Sequence, residues 1–357
     1  MIEDVRISNF KCFRSLHISD LSRVNVVGGR NNVGKTALLE ALFVFHDRSN
    51  PRMFLRTQTW RGMPQVPTDP PSLWGPFFND FDLGRPIRIE LTIDGTPHRA
   101  EYAFCPIGRV PAERQTEARR AGSEEDAGVA TQADTFPVLD ITYASGRDAT
   151  TTQHLYTANG EAKLHFEQEP NLLERATMLT SRTRVYSPEE AIRLGRLIED
   201  KKEGLVEEFL SLIAPVRDLQ ISYTGAGPLV VCDVGLPRLI PLAYAGEGIC
   251  RLLSIILAMS DASGGLVLVD EIGSGVHHSA QTAFWEAIGK AATGFDCQLV
   301  ATTHSYELLR AAHSGLQGLF QPEFRYVRLE HNGAKTSAKV FTHDLLGEAL
   351  SANLEVR

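Results

Sequence analysis

Four stretches of this 357-residue chain carry side chains whose types and spacing suit phosphate chemistry. The first is Gly29-Arg30-Asn31-Asn32-Val33-Gly34-Lys35-Thr36, followed by Ala37, which fits G-x-x-x-x-G-K-[ST]. An apolar strand pattern, Val24–Val27, precedes it and a helical pattern, Ala37–Phe43, follows, which is the context this motif requires. Glycines let the backbone N–H groups of such a loop face a phosphate, and the helix start adds partial positive charge. Lys35 is then expected to reach the β- and γ-phosphates, and the Thr36 hydroxyl to hold Mg²⁺. The second stretch, Leu266-Val267-Leu268-Val269-Asp270-Glu271, is an apolar run ending in two carboxylates. A buried parallel strand reads this way, and its C-terminal end is where an α/β sheet presents ligands. Asp270 is expected to support the Mg²⁺ ion and Glu271 to polarise the attacking water. The third is Gln298–Ser305, a second buried strand ending in Thr302-Thr303-His304-Ser305. The fourth, Ala243-Tyr244-Ala245-Gly246-Glu247-Gly248-Ile249-Cys250-Arg251, precedes an apolar helix over Leu252–Met259.

An alternating strand over residues 2–10 leads through Lys11–Ser15 to a second, Leu16–Leu21; the opening Ile7-Ser8-Asn9-Phe10-Lys11-Cys12-Phe13 is thus followed by a strand and the Gly-x-Asn-Asn-x-Gly-Lys-Thr loop. That series resembles the heads of ABC-class ATPases, and more narrowly the overcoming-lysogenization-defect (OLD) and RecF-like group within the AAA family. The resemblance is specific over residues 1–46 and 216–310 and loose between them. It implies that the N-terminal strands form a side sheet near adenine and ribose, and that His304 contacts the γ-phosphate. It also implies that Ala245, Gly246, Glu247 and Gly248 occupy the place of the ABC signature, which binds the γ-phosphate held by a second subunit. Ala245 stands where that signature has Ser, so the hydroxyl contact is absent. After Glu271 the chain reads Gly275-Val276-His277-His278 where the family often has Gly-Leu-His-Pro. A paired-His metal site is discounted there, since adjacent His residues at a helix start are expected to face apart.

The expected fold is α/β: an ABC-type phosphate-loop head with a mostly parallel core sheet, a mixed side sheet and an inserted middle region. Residues 1–46 and 216–330 would form the two lobes of the head, 47–215 the insertion and 331–357 a C-terminal extension. Within the insertion, Phe54–Gly62 mixes basic and aromatic residues and reads chiefly as local packing. Ile87–Ile93 alternates cleanly, Asp94-Gly95 signals a hairpin, and further strands are expected near 138–143, 154–156 and 162–166. A charged stretch, 107–135, reads as a mobile loop. Ser187-Pro188-Glu189-Glu190 has the layout of a helix start, and two helices interrupted at Gly204 should end before Pro215. Short strands are expected at 219–223, 229–234 and 238–242. Arg325–Leu329 is expected to be the last strand of the head.

Composition narrows the function further. Hydrophobic residues make up 43% and charged residues 22%, ordinary for a globular protein. No run is long enough to span a membrane, and the first residues lack a signal-peptide layout, so a cytoplasmic protein is expected. Five scattered cysteines without a C-x-x-C argue against a disulfide framework or zinc site. A formal charge of -8 means that DNA binding would need a local basic patch, from Arg52, Arg56 and Arg61 or from Arg109, Arg114, Arg119 and Arg120. The resemblance points to an ATP- and Mg²⁺-dependent ATPase working as a head-to-head homodimer. In that family a Toprim nuclease is often fused or partnered. No room remains for one after the head, so a separate nuclease or Toprim effector is the expected partner, in phage defence or DNA processing. Alternatives are a RecF-like repair or chromosome-maintenance ATPase that binds DNA itself, and a non-hydrolysing ATP-gated scaffold. A transporter subunit is disfavoured by the degenerate signature and the large insertion.

Overall fold

The computed structural model describes every residue except 64–69, 110–134, 159–160, 169–172, 174, 182–187, 226, 334, 353 and 356–357. The charged loop expected at 107–135, with Arg114, Arg119 and Arg120, and the helix start at Ser187 thus lie largely outside the described residues.

β1 (Ile2–Phe10) and β2 (Phe13–Ile18) form a hairpin, and β3 (Val24–Gly28) runs through the phosphate loop into α1 (Lys35–His46). Next come α2 (Met53–Trp60), α3 (Pro70–Trp74) and two 3₁₀ turns, Gly75–Phe77 and Asn79–Phe81. A meander follows: β4 (Ile87–Ile93), β5 (Thr96–Arg109), β6 (Thr135–Ser145), β7 (Thr151–Ala158) and β8 (Glu161–Phe166). Then come β9 (Ala176–Leu179), α4 (Pro188–Glu199), α5 (Glu203–Ser211), β10 (Asp218–Thr224), β11 (Gly227–Asp233) and β12 (Ile240–Pro241). The 3₁₀ turn Leu242–Ala245 enters α6 (Glu247–Asp261), followed by β13 (Leu266–Val269), α7 (Gln281–Gly294) and β14 (Gln298–Thr302). The chain closes with α8 (Tyr306–Gly315), β15 (Phe324–His331), β16 (Thr336–Thr342) and α9 (His343–Ser351).

The core sheet has the order β16-β15-β3-β14-β13-β9 and is parallel except at its β16 edge. Its strands alternate sides, as a period of two requires. Val24, Val26, Val267, Val269, Leu299 and Ala301 face the core made with α4 to α8. Val27, Leu266, Leu268 and Val300 face a second core made with α1 and the side sheet. α1 therefore lies between two sheets and is apolar nearly all round, as a doubly covered helix must be. Leu38, Leu39, Leu42, Phe43 and Phe45 are each 2% exposed or less. At roughly 1.5–3 kcal/mol per fully buried side chain, they fix the helix that carries Lys35 and Thr36.

The α/β head expected from the sequence is thus present, with four local differences. The side sheet, β2-β1-β4-β5-β6-β7-β8, is antiparallel at every pairing rather than mixed, because hairpins and a meander build it. β9 is a core strand, paired parallel to β13. Four residues are too few to show a period, which is why the sequence did not reveal it. Arg325–Leu329 is not the last strand: β16 pairs antiparallel to β15, and Leu346 and Ala349 of α9 join the core. The break between α4 and α5 lies at Asp200–Lys202, where Lys201 turns left-handed at φ 56°, and Gly204 sits inside the first turn of α5.

Candidate active site

Three neighbouring strands place the chemistry at the C-terminal ends of the core sheet's inner strands. β14 lies between β3 and β13, so the loop after β3, Thr302–His304 after β14 and Asp270-Glu271 after β13 converge. The loop's shape is set by its neighbours as well as its glycines. Gly34 has φ 103°, and a Cβ there would lie 2.6 Å from the Phe13 ring and 2.7 Å from Cys12 Sγ. The β1–β2 turn therefore presses on the loop and demands Gly on both conformational and steric grounds. Gly34 is also the N-cap of α1 and offers no side-chain acceptor, and no acid occupies the first turn. The orphan N–H groups of that turn and the helix dipole are left for an anion.

Lys35, 8% exposed, donates from Nζ to the carbonyls of Gly29 (3.0 Å) and Arg30 (3.1 Å), which hold the ammonium over its own loop. Burial lowers its pKa, against the opposing pull of Glu271 and Asp270. Thr36 Oγ1 donates to the Asp270 carboxylate at 3.1 Å, and Thr302 Oγ1 donates to the same carboxylate at 2.7 Å. A hydroxyl and a carboxylate side by side form an all-oxygen donor set. It suits Mg²⁺, which takes one or two protein oxygens together with substrate phosphates. Thr302 was not assigned a role from sequence, yet it also accepts the Glu271 N–H on its hydroxyl (2.9 Å) and the Ile272 N–H on its carbonyl (3.0 Å).

Those bonds hold Glu271 in the left-handed region at φ 50°, a conformation a non-glycine residue adopts only when its surroundings impose it. One Glu271 oxygen is 2.7 Å from His304 Nδ1. The resemblance implied that His304 meets the γ-phosphate; the structure pairs it with the second acid. Lys35, Thr36, Asn31, Asn32, Gly34, Ala37 and Glu271 share the wall of a cleft of about 800 Å³.

The Ala245–Gly248 segment is not in that wall. It packs against the turn after Glu271: a Cβ on Gly248 would lie 3.2 Å from the Gly275 carbonyl, and one on Gly275 would meet Glu247 at 2.5 Å. α6 has Gly246 as its N-cap and an acid, Glu247, in its first turn, which offsets part of the positive dipole there. Further along α6, Arg251 is 4% exposed and donates to the main-chain carbonyls of Asp270 (2.8 Å) and Thr180 (3.2 Å). An arginine inside the apolar run of α6 was the only sequence sign of this tie. His277 and His278 do not diverge as expected: their ring centroids are 4.1 Å apart. His277 has extended backbone (φ −62°, ψ 143°) and precedes the helical turn that His278 begins, so the spacing rule for helical neighbours does not apply.

Two of the candidate DNA-contacting arginines are engaged within the chain. Arg56 meets Asp47 at 2.9 Å and lies over the Phe43 ring. Arg61 grips buried Glu40 with two nitrogens, at 2.7 and 2.8 Å, and Lys11 bonds the same carboxylate. Burial lowers the Lys11 pKa to about 8.

Two protein families match the chain. "AAA ATPase domain" covers residues 1–93, and with them the loop and α1. "AAA domain, putative AbiEii toxin, Type IV TA system" covers residues 189–310, and with them Ala245–Gly248, Asp270, Glu271 and His304. The chain is a phosphate-loop ATPase. The ATPase is 23% identical over 334 residues to the "ATP/GTP phosphatase" of Helicobacter pylori, a match covering 87% of this chain and 86% of that one. Among solved structures it is similar to an SMC head bound to the C-terminal winged-helix domain of ScpA, with 12% identity, TM-score 0.48 and coverage of 98% and 99%. It is also similar to the SMC head domain from Thermotoga maritima, with 12% identity, TM-score 0.45 and coverage of 95% and 98%. Among its described residues no helix is long and apolar enough to cross a membrane.

Proposed function

We propose that this ATPase hydrolyses Mg²⁺-bound ATP at the Lys35–Thr36–Asp270–Glu271 cluster, working as a head-to-head dimer that regulates a separately encoded nuclease or Toprim effector. The observation that carries the chemistry is the convergence of Thr36, Thr302, Asp270, Glu271 and His304 at the C-terminal ends of the core sheet's inner strands. Bound Mg²⁺ would neutralise charge on the transferred phosphoryl group, and Thr36 and Asp270 would hold it. Lys35 and the N–H groups at the start of α1 bind the phosphates. Glu271 takes a proton from the attacking water, and His304, across the 2.7 Å contact, keeps that carboxylate oriented. Thr302 fixes both acids from the middle strand.

The dimer is supported by Ala245–Gly248 standing outside the loop's own cleft, on a helix start that a second copy could use. The effector role in defence rests on the OLD-like resemblance and sits with the toxin–antitoxin wording of one matched family. Direct DNA binding in the RecF manner draws less support, since Arg56 and Arg61 already meet Asp47 and Glu40.

Calorimetry with Mg–ATP and phosphate-release assays on wild type and Lys35→Ala test this reading. The variant, lacking the cation aimed at the β- and γ-phosphates, should lose both ATP binding and turnover. Unchanged affinity in the variant would remove the loop from nucleotide binding.

A further inference from the structure

The cleft beside the loop has a second wall, built from α2 and the two 3₁₀ turns. That wall is anchored to the β1–β2 turn: the Lys11 N–H donates to the Phe77 carbonyl (2.8 Å) and Asn79 Nδ2 donates to the Lys11 carbonyl (2.7 Å). Phe77 and Phe78 are buried, at 1% and 2% exposure. The next turn then reverses direction. Asp80 and Phe81 both adopt left-handed backbone, φ 52° and 58°, although neither is glycine. Phe81 is left 69% exposed in the cleft wall, resting against Gly75. Backbone strain of this kind gathers at ligand clamps, and here it turns an aromatic face away from the core.

Gln58, from α2, lines the same cleft and is 4% exposed. Its Nε2 donates to the Leu73 carbonyl at 2.9 Å, which fixes the orientation of the amide. Its Oε1 is buried and has no hydrogen-bond partner among the described residues. A buried acceptor left unmet is costly, and a ligand donor would satisfy it. The cleft, at about 800 Å³, is in the range that holds a nucleotide.

We propose that Phe81 and Gln58 read the base of the bound nucleotide, Phe81 by stacking on it and Gln58 by accepting a hydrogen bond from the 6-amino group of adenine. The proposal rests on the loop binding the triphosphate. It selects adenine over guanine because guanine carries an oxygen at that position, which would face Oε1 acceptor to acceptor.

Calorimetric titrations with the Mg²⁺ complexes of ATP, GTP, purine-riboside triphosphate and inorganic tripolyphosphate test it. Purine-riboside triphosphate differs from ATP only in lacking the amino group. Wild type should bind ATP up to about tenfold more tightly than that analogue, the worth of one hydrogen bond, and more tightly than GTP. Gln58→Leu should abolish the preference. Phe81→Ala should weaken all three nucleotides by about tenfold and leave tripolyphosphate unchanged; Phe81 is exposed, so the fold should survive. Equal wild-type affinity for ATP and the analogue, or nucleotide affinities untouched by Phe81→Ala, overturns the proposal. In either event Lys35-dependent binding of tripolyphosphate leaves the loop's role standing, whereas a wild type that binds neither ATP nor tripolyphosphate defeats both.

Discussion

One oxygen of Glu271 contacts the His304 ring, and its backbone is pinned left-handed by Thr302. Glu271→Gln keeps the shape and removes the base. ATP affinity should stay within a few-fold while kcat falls by roughly 10²–10⁴, the usual worth of a positioned general base. Phosphate release under single-turnover conditions measures it, and wild-type turnover in the variant would take Glu271 out of this role. That the loop, the paired acids and His304 would lie together was legible in the sequence, because each motif is contiguous and sits at a strand end. Thr302, Arg251, Glu40 and Gln58 were not legible in role. Their partners lie elsewhere in the chain: Asp270 for Thr302 and Arg251, Arg61 and Lys11 for Glu40, Leu73 for Gln58. Only folding brings them together.

Among the elements, the contact between α4 and α6 carries a titratable group that the catalytic cluster does not use. Glu190 is 5% exposed, and Ser254 Oγ on α6 donates to it. Burial raises its pKa from 4.5 to about 7, opposed by Ser254 and by Arg193 one turn away, while Glu189 adds to the rise. The folded protein therefore keeps this proton up to about pH 7, whereas the unfolded chain releases it near 4.5. The folded state binds more protons in that window, so this group's contribution to stability declines as pH rises through it. The full swing is on the order of 3 kcal/mol at 1.36 kcal/mol per unit. Urea unfolding of Glu190→Gln beside wild type, at pH 4.5 and pH 8, should show the variant gaining relative stability at the higher pH. A pH-independent difference would mean that the carboxyl does not titrate in this window. The two helices themselves were readable from their periodicity, and so were most side-sheet strands. β9, β16 and α9 were missed because the sheet, rather than local pattern, recruits them.

Over the whole molecule, the α/β head was legible because strand, loop and helix recur in order. Two copies packed head to head would form an isologous interface with ATP between them. Light scattering of Glu271→Gln should show a monomer that doubles its mass on adding Mg–ATP, at a higher protein concentration than a complete signature would need, since Ala245 lacks a hydroxyl and Glu247 adds a carboxylate. Ala245→Asp tests it, with circular dichroism of the variant read beside its turnover because Ala245 is half-buried against the main core. Gly246 has φ 120° and Gly248 abuts the Gly275 carbonyl, so substitutions at those positions would strain the protomer itself. Ala245→Asp should stop turnover while leaving ATP binding to its own loop intact. A monomer throughout, with normal turnover in Ala245→Asp, would sink the dimer.

The pressure of the β1–β2 turn on Gly34 gives the protein a built-in chemical reporter. Cys12 is the exposed cysteine of the five, lines the cleft and lies against the loop's second glycine. Cys232, Cys250 and Cys297 are buried, and Cys105 is half-buried. An alkylating reagent should therefore mark Cys12 first, and slowly near neutrality, because its sulfur, set against the loop at Gly34, is partly desolvated and its thiol pKa is raised. Saturating Mg–ATP should slow that labelling several-fold in wild type and leave it unaltered in Lys35→Ala. Mass spectrometry of the modified peptide would then read site occupancy without any assay of turnover, and an adduct at Cys12 should itself exclude nucleotide.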